Sequence, residues 1–252
     1  MNRAGVSGRV ALVTGSTAGL GKAIALALGS AGARVAMNYA NSEARAAVAF
    51  EALQATGCEC GLFRGSVVTE EGVNQLVGEV SEKLGPVDIV VVNATPAQPQ
   101  KPIEEYDWET YQAMLDFFVK SPFLLARACL PHMKSQRWGR MVNIGSEVFQ
   151  RGVPNFSAYV AAKGGQSGWT RSMATELASW GITVNMVSPG WIPVERHEND
   201  PQEAKDGYLA QVPAGRWGVP GDIAAAVLYL AGEESAFVTG QNIAVNGGLT
   251  VG

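Results

Sequence analysis

Short apolar runs rich in β-branched residues alternate along this chain with longer Ala/Leu-rich segments of helical spacing. The runs are VALV at 10–13, RVAM at 34–37, DIVVV at 88–92, RMVNI at 140–144, ITVNMV at 182–187 and NIAV at 242–245. Each is nearly continuous in apolar residues, which predicts a strand buried on both faces. Between them, GKAIALALGSAG, SEARAAVAFEALQATG, TEEGVNQLVGEVSEKLG, SPFLLARACLPHM, SAYVAAKGGQSGWTRSMATELASWG and PGDIAAAVLYLAG carry helical periodicity, and several stop at Gly, as helices commonly do. The alternation implies right-handed βαβ units and one parallel sheet of about seven strands with helices on both faces. This is an α/β, doubly wound fold whose ligand lies beyond the carboxyl ends of the strands. No break in composition interrupts the pattern, so residues 1–252 are expected to form a single domain. The least regular stretch, 191–213 (WIPVERHENDPQEAKDGYLAQVP), is charged, holds Pro and Trp, and follows a strand end. It is expected to be a substrate lid.

Composition narrows the chemistry. Hydrophobic residues make up 47% and charged residues 17% of the 252, a globular balance far from that of a disordered chain. Nineteen basic and 23 acidic side chains leave a net charge of -4 with no Lys/Arg run, so neither nucleic acid nor an anionic membrane is an expected partner. The opening stretch has too short an apolar run for a secretory signal, and no run approaches the ~18 residues of a spanning helix; a cytoplasmic protein acting on a small molecule is expected. Cys58, Cys60 and Cys129 form no C-x-x-C, and His132 and His197 have no metal-ligand spacing, so no metal site is expected. There is no G-x-S-x-G elbow for a Ser-His hydrolase.

Two stretches carry candidate chemistry. In SAYVAAKGG, Tyr159 and Lys163 stand four residues apart, which on a helix places them on one face. A neighbouring ammonium would lower the phenol toward working pH and suit it to proton transfer; two residues sharing a solvated face would show the same spacing. In TGSTAGLG, Gly15, Gly19 and Gly21 follow the first strand and open the first helix, where a tight turn brings helix N–H groups to a pyrophosphate. A plain turn would show the same glycines.

Taken in order, Thr14 to Gly21, Asn93-Ala94, Ser146 thirteen residues before Tyr159, YVAAK, and SPG at 188–190 resemble the short-chain dehydrogenases/reductases along essentially the whole chain. The tail, from LAQVPAGRWG to NIAVNGG, looks most like the 3-oxoacyl-carrier-protein reductase branch. The resemblance implies a Rossmann fold, a homotetramer, and hydride transfer between a nicotinamide cofactor and a carbonyl or secondary alcohol. Ser146 would polarise the carbonyl, Tyr159 would exchange the proton, and Lys163 would lower the Tyr159 pKa and bind the nicotinamide ribose. Cofactor contacts are implied at Gly15, Ser16, Thr17, Gly19, Leu20, Gly21, Tyr39, Ser66, Val67, Asn93, Tyr159, Lys163, Pro189, Gly190 and Ile192.

The chain also departs from the family. Phe118 stands where an Asn normally holds a proton-relaying water, Thr95 ends the usual Asn-Asn-Ala-Gly, Ser66 replaces an Asp beside the adenine, and Val194 replaces a Thr at the carboxamide. These changes keep two further readings open: a dinucleotide-binding protein with little or no redox turnover, and a structural partner of an active relative. At the end of the second strand Tyr39 occupies the place of the Asp that selects NAD, with no acid before Glu43, so the 2'-phosphate of NADP is not repelled. The Arg often found in the glycine loop of NADP users is Ala18, and nothing basic lies between Tyr39 and Arg45. NADP(H) is expected, with NAD(H) the alternative. Phe118, Phe149 and Trp191 are candidates to line an apolar substrate pocket.

Overall fold

The computed structural model describes residues 5–251; residues 1–4 and 252, the ends of the expected domain, lie outside it. Seven strands, β1 (Val10–Val13), β2 (Arg34–Tyr39), β3 (Cys60–Arg64), β4 (Ile89–Val92), β5 (Gly139–Ile144), β6 (Ile182–Pro189) and β7 (Asn242–Val245), form one sheet in the order β3-β2-β1-β4-β5-β6-β7. Every pairing is parallel. The order reverses beside β1, so the doubly wound architecture expected from the alternation is the one observed, and the switch point falls between β1 and β4.

The main helices are α1 (Gly19–Ser30), α2 (Glu43–Gln54), α3 (Glu70–Leu84), α4 (Trp108–Leu115), α5 (Ser121–Gln136), α7 (Ser157–Leu177) and α9 (Pro220–Ala231), with short α6 (Val148–Arg151) and α8 (Gln202–Leu209). Side-chain oxygens of Ser42, Thr69 and Asp107 cap α2, α3 and α4 by accepting backbone N–H groups of the first turn, which supplies partners that a helix start otherwise lacks. A π-helical turn, Asp116–Lys120, joins α4 to α5. One apolar core packs α1 and α9 on one face of the sheet, through residues such as Ile24, Leu28, Val91 and Val227. A second packs α3, α5 and α7 on the other, through Leu76, Leu125, Met141 and Leu177.

Strand β3 and helices α4, α6 and α8 escaped the pattern, β3 and α8 for identifiable reasons. Strand β3 reads CGLFR, with only Gly61 and Phe63 fully buried; as an edge strand it has no need of a continuous apolar run. Helix α8 lies inside the stretch read as least regular, and is held by Gln202 Nε2 donating to Asp206 Oδ1 at 2.8 Å rather than by an apolar face.

The amino edge of the sheet is closed by satisfied polar groups. Asp88 accepts from Val10 N at 2.9 Å and from Gln136 Nε2 at 2.6 Å, and buried Arg140 donates to the carbonyls of Gly139, Gly181 and Gly232. That edge is structural, and the loops that remain for chemistry leave from the carboxyl edge. Among the described residues no helix is long and apolar enough to cross a membrane.

Candidate active site

The glycine turn after β1 is fixed from the neighbouring strands β2 and β4. Gly15 has φ of +59°, and a Cβ there would come 2.8 Å from the Ala94 Cα, so glycine is required both for its backbone angle and for the close approach. Asn93 donates through Nδ2 to the carbonyls of Thr14 (3.0 Å) and Gly15 (2.9 Å), and its own N–H goes to Thr14 Oγ1 at 2.9 Å. From β2, Asn38 accepts Gly15 N on Oδ1 at 3.3 Å and Ser16 N on its carbonyl at 3.0 Å, while Nδ2 donates to Phe63 and Gly65 carbonyls. Gly21 lies against the Asn93 amide and the Gly15 carbonyl, leaving no room for a side chain. The result presents the start of α1, with its unpaired N–H groups and positive dipole end, to the carboxyl edge of the sheet.

The other positions expected to contact a dinucleotide fall along the same edge. Ser16 and Thr17 are buried in the turn, and Leu20 is half-buried in the first turn of α1. Tyr39 ends β2, Ser66 Oγ accepts from Val68 N at 3.3 Å, and Pro189 ends β6 with Gly190 N donating to Val245 O at 3.1 Å. Val67 and Ile192 turn their side chains into the two cores, so only their backbones face the edge. One N–H of the α1 terminus already has a partner: Glu195 Oε2 accepts from Gly19 N at 3.1 Å, and Val194 rests on Gly19.

At the end of β5 the chain runs into Ser146, and α7 brings Tyr159 and Lys163 against it. Lys163 is almost fully buried. Its Nζ donates to the Ile144 carbonyl at 2.6 Å and to Gln166 Oε1 at 3.1 Å, and lies 3.6 Å from the centroid of the Phe118 ring. Phe118, in the π-helical turn, is buried and meets Tyr159 edge-on at 5.3 Å and 79°, while Phe156 stacks on the other side of Tyr159 at 4.7 Å and 25°. An aromatic face therefore stands where the resemblance implies an Asn, and it meets the Lys163 ammonium as a cation–π partner.

Burial is the largest influence on the Tyr159 phenol and raises its pKa, while a hydrogen bond from Ser146 and the charge of Arg196 act the other way. Burial also drives Lys163 well below the ordinary lysine range, with Arg196 pushing the same way. Nζ is engaged by Ile144, Gln166 and Phe118 and lies 5.6 Å from the centre of the Tyr159 ring. Desolvation then dominates both groups.

The 191–213 stretch is anchored beside this set by residues whose part the sequence did not reveal. Tyr208 Oη donates to buried Glu147 Oε1 at 2.9 Å and accepts from Trp191 N at 2.7 Å, and Arg151 Nη1 donates to the same Glu147 oxygen at 3.0 Å. Trp191, Tyr208 and Trp217 pack ring to ring at 5.5–5.8 Å, so Trp191 is engaged in holding the segment. Phe149 is half-buried in α6. The roles of Asn38, Glu147 and Glu195 depend on pairings far apart in the chain, and Gln166, one turn from Lys163 on α7, belongs to no motif that announces it.

The chain has clear relatives. The family model described as enoyl-(acyl carrier protein) reductase matches residues 15–250. The 3-oxoacyl-(acyl-carrier-protein) reductase FabG of Staphylococcus aureus is 37% identical over 241 residues, covering 95% of this chain and 97% of the relative. The enzyme of the same name from Vibrio cholerae is 39% identical over 246 residues, covering 97% and 98%. Among solved structures, a candidate gluconate dehydrogenase from Agrobacterium tumefaciens superposes with a TM-score of 0.93 at 33% identity, covering 98% of both chains. A candidate short-chain alcohol dehydrogenase from Sinorhizobium meliloti 1021 gives 0.92 at 30%, covering 97% of both.

The depressed Lys163 makes a prediction with a definite sign. Between its folded value and the ordinary lysine value near ~10.4, the unfolded chain binds one proton more than the folded chain, so stability rises with pH across that window and levels off above it. Lys163→Met removes this contribution. Thermal melts at several pH values should show the variant gaining on the parent as pH falls below ~10.4; a difference independent of pH would mean that Lys163 keeps its ordinary proton affinity.

Proposed function

The chain belongs to the short-chain dehydrogenase/reductase family of oxidoreductases, and we propose that it transfers a hydride between NADP(H) and a carbonyl or secondary alcohol by a Ser-Tyr-Lys mechanism. The observation that carries this reading is the convergence of Ser146, Tyr159 and Lys163 at the carboxyl end of β5, beside the α1 terminus. The cradle fits a dinucleotide: Gly15 and Gly21 leave no space for side chains, and α1 offers N–H groups to a pyrophosphate. Gly15, Ser16, Thr17, Gly19, Leu20 and Gly21 would hold the phosphates. Tyr39, Ser66, Val67 and Asn93 would hold the adenosine, and Tyr159, Lys163, Pro189, Gly190 and Ile192 the nicotinamide half. When bound, the nicotinamide supplies or accepts the hydride.

The protein's own part is proton transfer and charge stabilisation. Burial keeps the Tyr159 phenol protonated at neutral pH, the state needed to donate to a carbonyl oxygen as negative charge develops there. Ser146 donates a hydrogen bond to the same oxygen and orients it. Phe118 and Phe156 exclude water from the phenol, so the substrate oxygen draws on fixed donors in place of solvent. Residues 191–213, tethered through Tyr208 to Glu147, form a lid over this set. The sequence relatives are named as 3-oxoacyl-(acyl-carrier-protein) reductases and the structural neighbours as gluconate and alcohol dehydrogenases, and a carbonyl or secondary alcohol is the substrate class common to them. The chain is read as a homotetramer; fully exposed Phe237 and half-exposed Tyr229, near the unpaired edge strand β7, supply apolar contact surface.

Tyr159→Phe should lower hydride transfer, followed by NADPH absorbance on a ketone panel, by roughly 10²–10⁴-fold while dinucleotide affinity stays nearly unchanged. Turnover at the parent rate would sink the mechanism and reopen a binding role without redox chemistry. Glu195→Gln should tighten NADPH about fivefold, because the carboxylate that occupies Gly19 N–H competes with an incoming phosphate; equal or weaker binding would show that the contact does not compete. Light scattering should give about four times the 26.5 kDa chain mass, and a monomer mass would remove the tetramer.

A further inference from the structure

The chain lacks a base in the glycine turn, where Ala18 stands, and has none between Tyr39 and Arg45 in sequence. Strand pairing supplies one. In the parallel β2/β3 register Tyr39 lies opposite Arg64, and each is the last residue of its strand. Partners in register send their side chains to the same face of a sheet, so a guanidinium stands at the residue expected to meet the adenosine ribose. Tyr39 is buried, whereas Arg64 is exposed.

The guanidinium is also held. Arg64 Nε donates to the Ala40 carbonyl at 3.2 Å, which fixes the group against the turn from β2 to α2. Among the described residues neither Nη atom has a hydrogen-bond acceptor, and no carboxylate pairs with Arg64. The neighbouring polar group on β2 is committed elsewhere, since the Asn38 amide serves Gly15, Phe63 and Gly65. The first turn of α2 carries one acid, Glu43, and one base, Arg45, which roughly balance. At this corner there is no carboxylate on β2 to accept a 2'-hydroxyl and there is an unspent planar fork suited to phosphate oxygens.

We propose that Arg64 is the specificity-determining residue for NADP(H), binding the 2'-phosphate through its terminal guanidinium nitrogens. The assignment rests on the dinucleotide reading above and gives it a cofactor preference that the local sequence around Tyr39 leaves open.

The test is equilibrium titration of the full-length parent, Arg64→Gln and Arg64→Lys with NADPH, NADH, adenosine 2',5'-bisphosphate and AMP. Arg64 is exposed, and melting curves would verify that the variants fold as the parent does. Arg64→Gln should weaken NADPH and the bisphosphate by about 10- to 100-fold and change NADH and AMP less than about twofold, with Arg64→Lys between the two. The parent's NADPH affinity should also fall more steeply with added salt than its NADH affinity. Equal losses for both members of either pair, no loss at all, or a parent that prefers NADH would overturn the assignment. Arg64-dependent binding of the bisphosphate without binding of either dinucleotide would support the phosphate site while removing the hydride-transfer reading. Failure of the parent to bind any of the four would overturn both.

Discussion

Because all seven strands run in one direction, every connection has to cross a face of the sheet and every strand ends at the same edge. This constraint organises the molecule. It requires two apolar cores, which the near-continuous Val, Ile and Leu runs provide. It also collects the glycine turn, the end of β5, the start of the 191–213 segment and the β2/β3 corner within one rim, although they are dispersed through the chain. The amino edge shows the contrast: Asp88 and Arg140 have their hydrogen bonds satisfied within the protein and offer nothing to a ligand.

At that rim the decisive local term is desolvation. Lys163 is drawn out of water and compensated by a carbonyl, an amide oxygen and the face of Phe118. Such a lysine loses its charge more readily than a solvated one, and the phenol beside it, walled by two aromatic rings, holds its proton more tightly. Four-residue spacing on a helix fixes only that the ammonium and the phenol share a face. The folded chain sets a direction for the ammonium, which meets a carbonyl, an amide oxygen and the Phe118 face, with the Tyr159 ring centre 5.6 Å away.

The comparison with the sequence divides along the same line. Buried strands and amphipathic helices were legible because burial on both faces leaves an unbroken apolar signature, and the glycine turn because its residues are consecutive. The edge strand β3 and the helix α8 were not, since neither relies on an apolar run. Ser146, Tyr159 and Lys163 were found as a motif. Glu147, Asn38 and Glu195 were passed over, each being an ordinary polar residue until a partner from another element is placed beside it, and Gln166 because burial alone makes its bond to Lys163 matter.

What the sequence determined by itself was the alternation of elements, hence the parallel sheet, and the identity of the groups available at its carboxyl edge. Periodicity and short motifs are local, and local order is enough to specify both. What only the tertiary structure decided was where charge resides among those groups: which way Lys163 points, which N–H of α1 Glu195 occupies, and that Arg64, on the neighbouring strand, stands beside Tyr39. Those relations are set by strand register and side-chain burial, and electrostatic energy depends on distance through space and on access to water, neither of which is written in the order of residues along the chain.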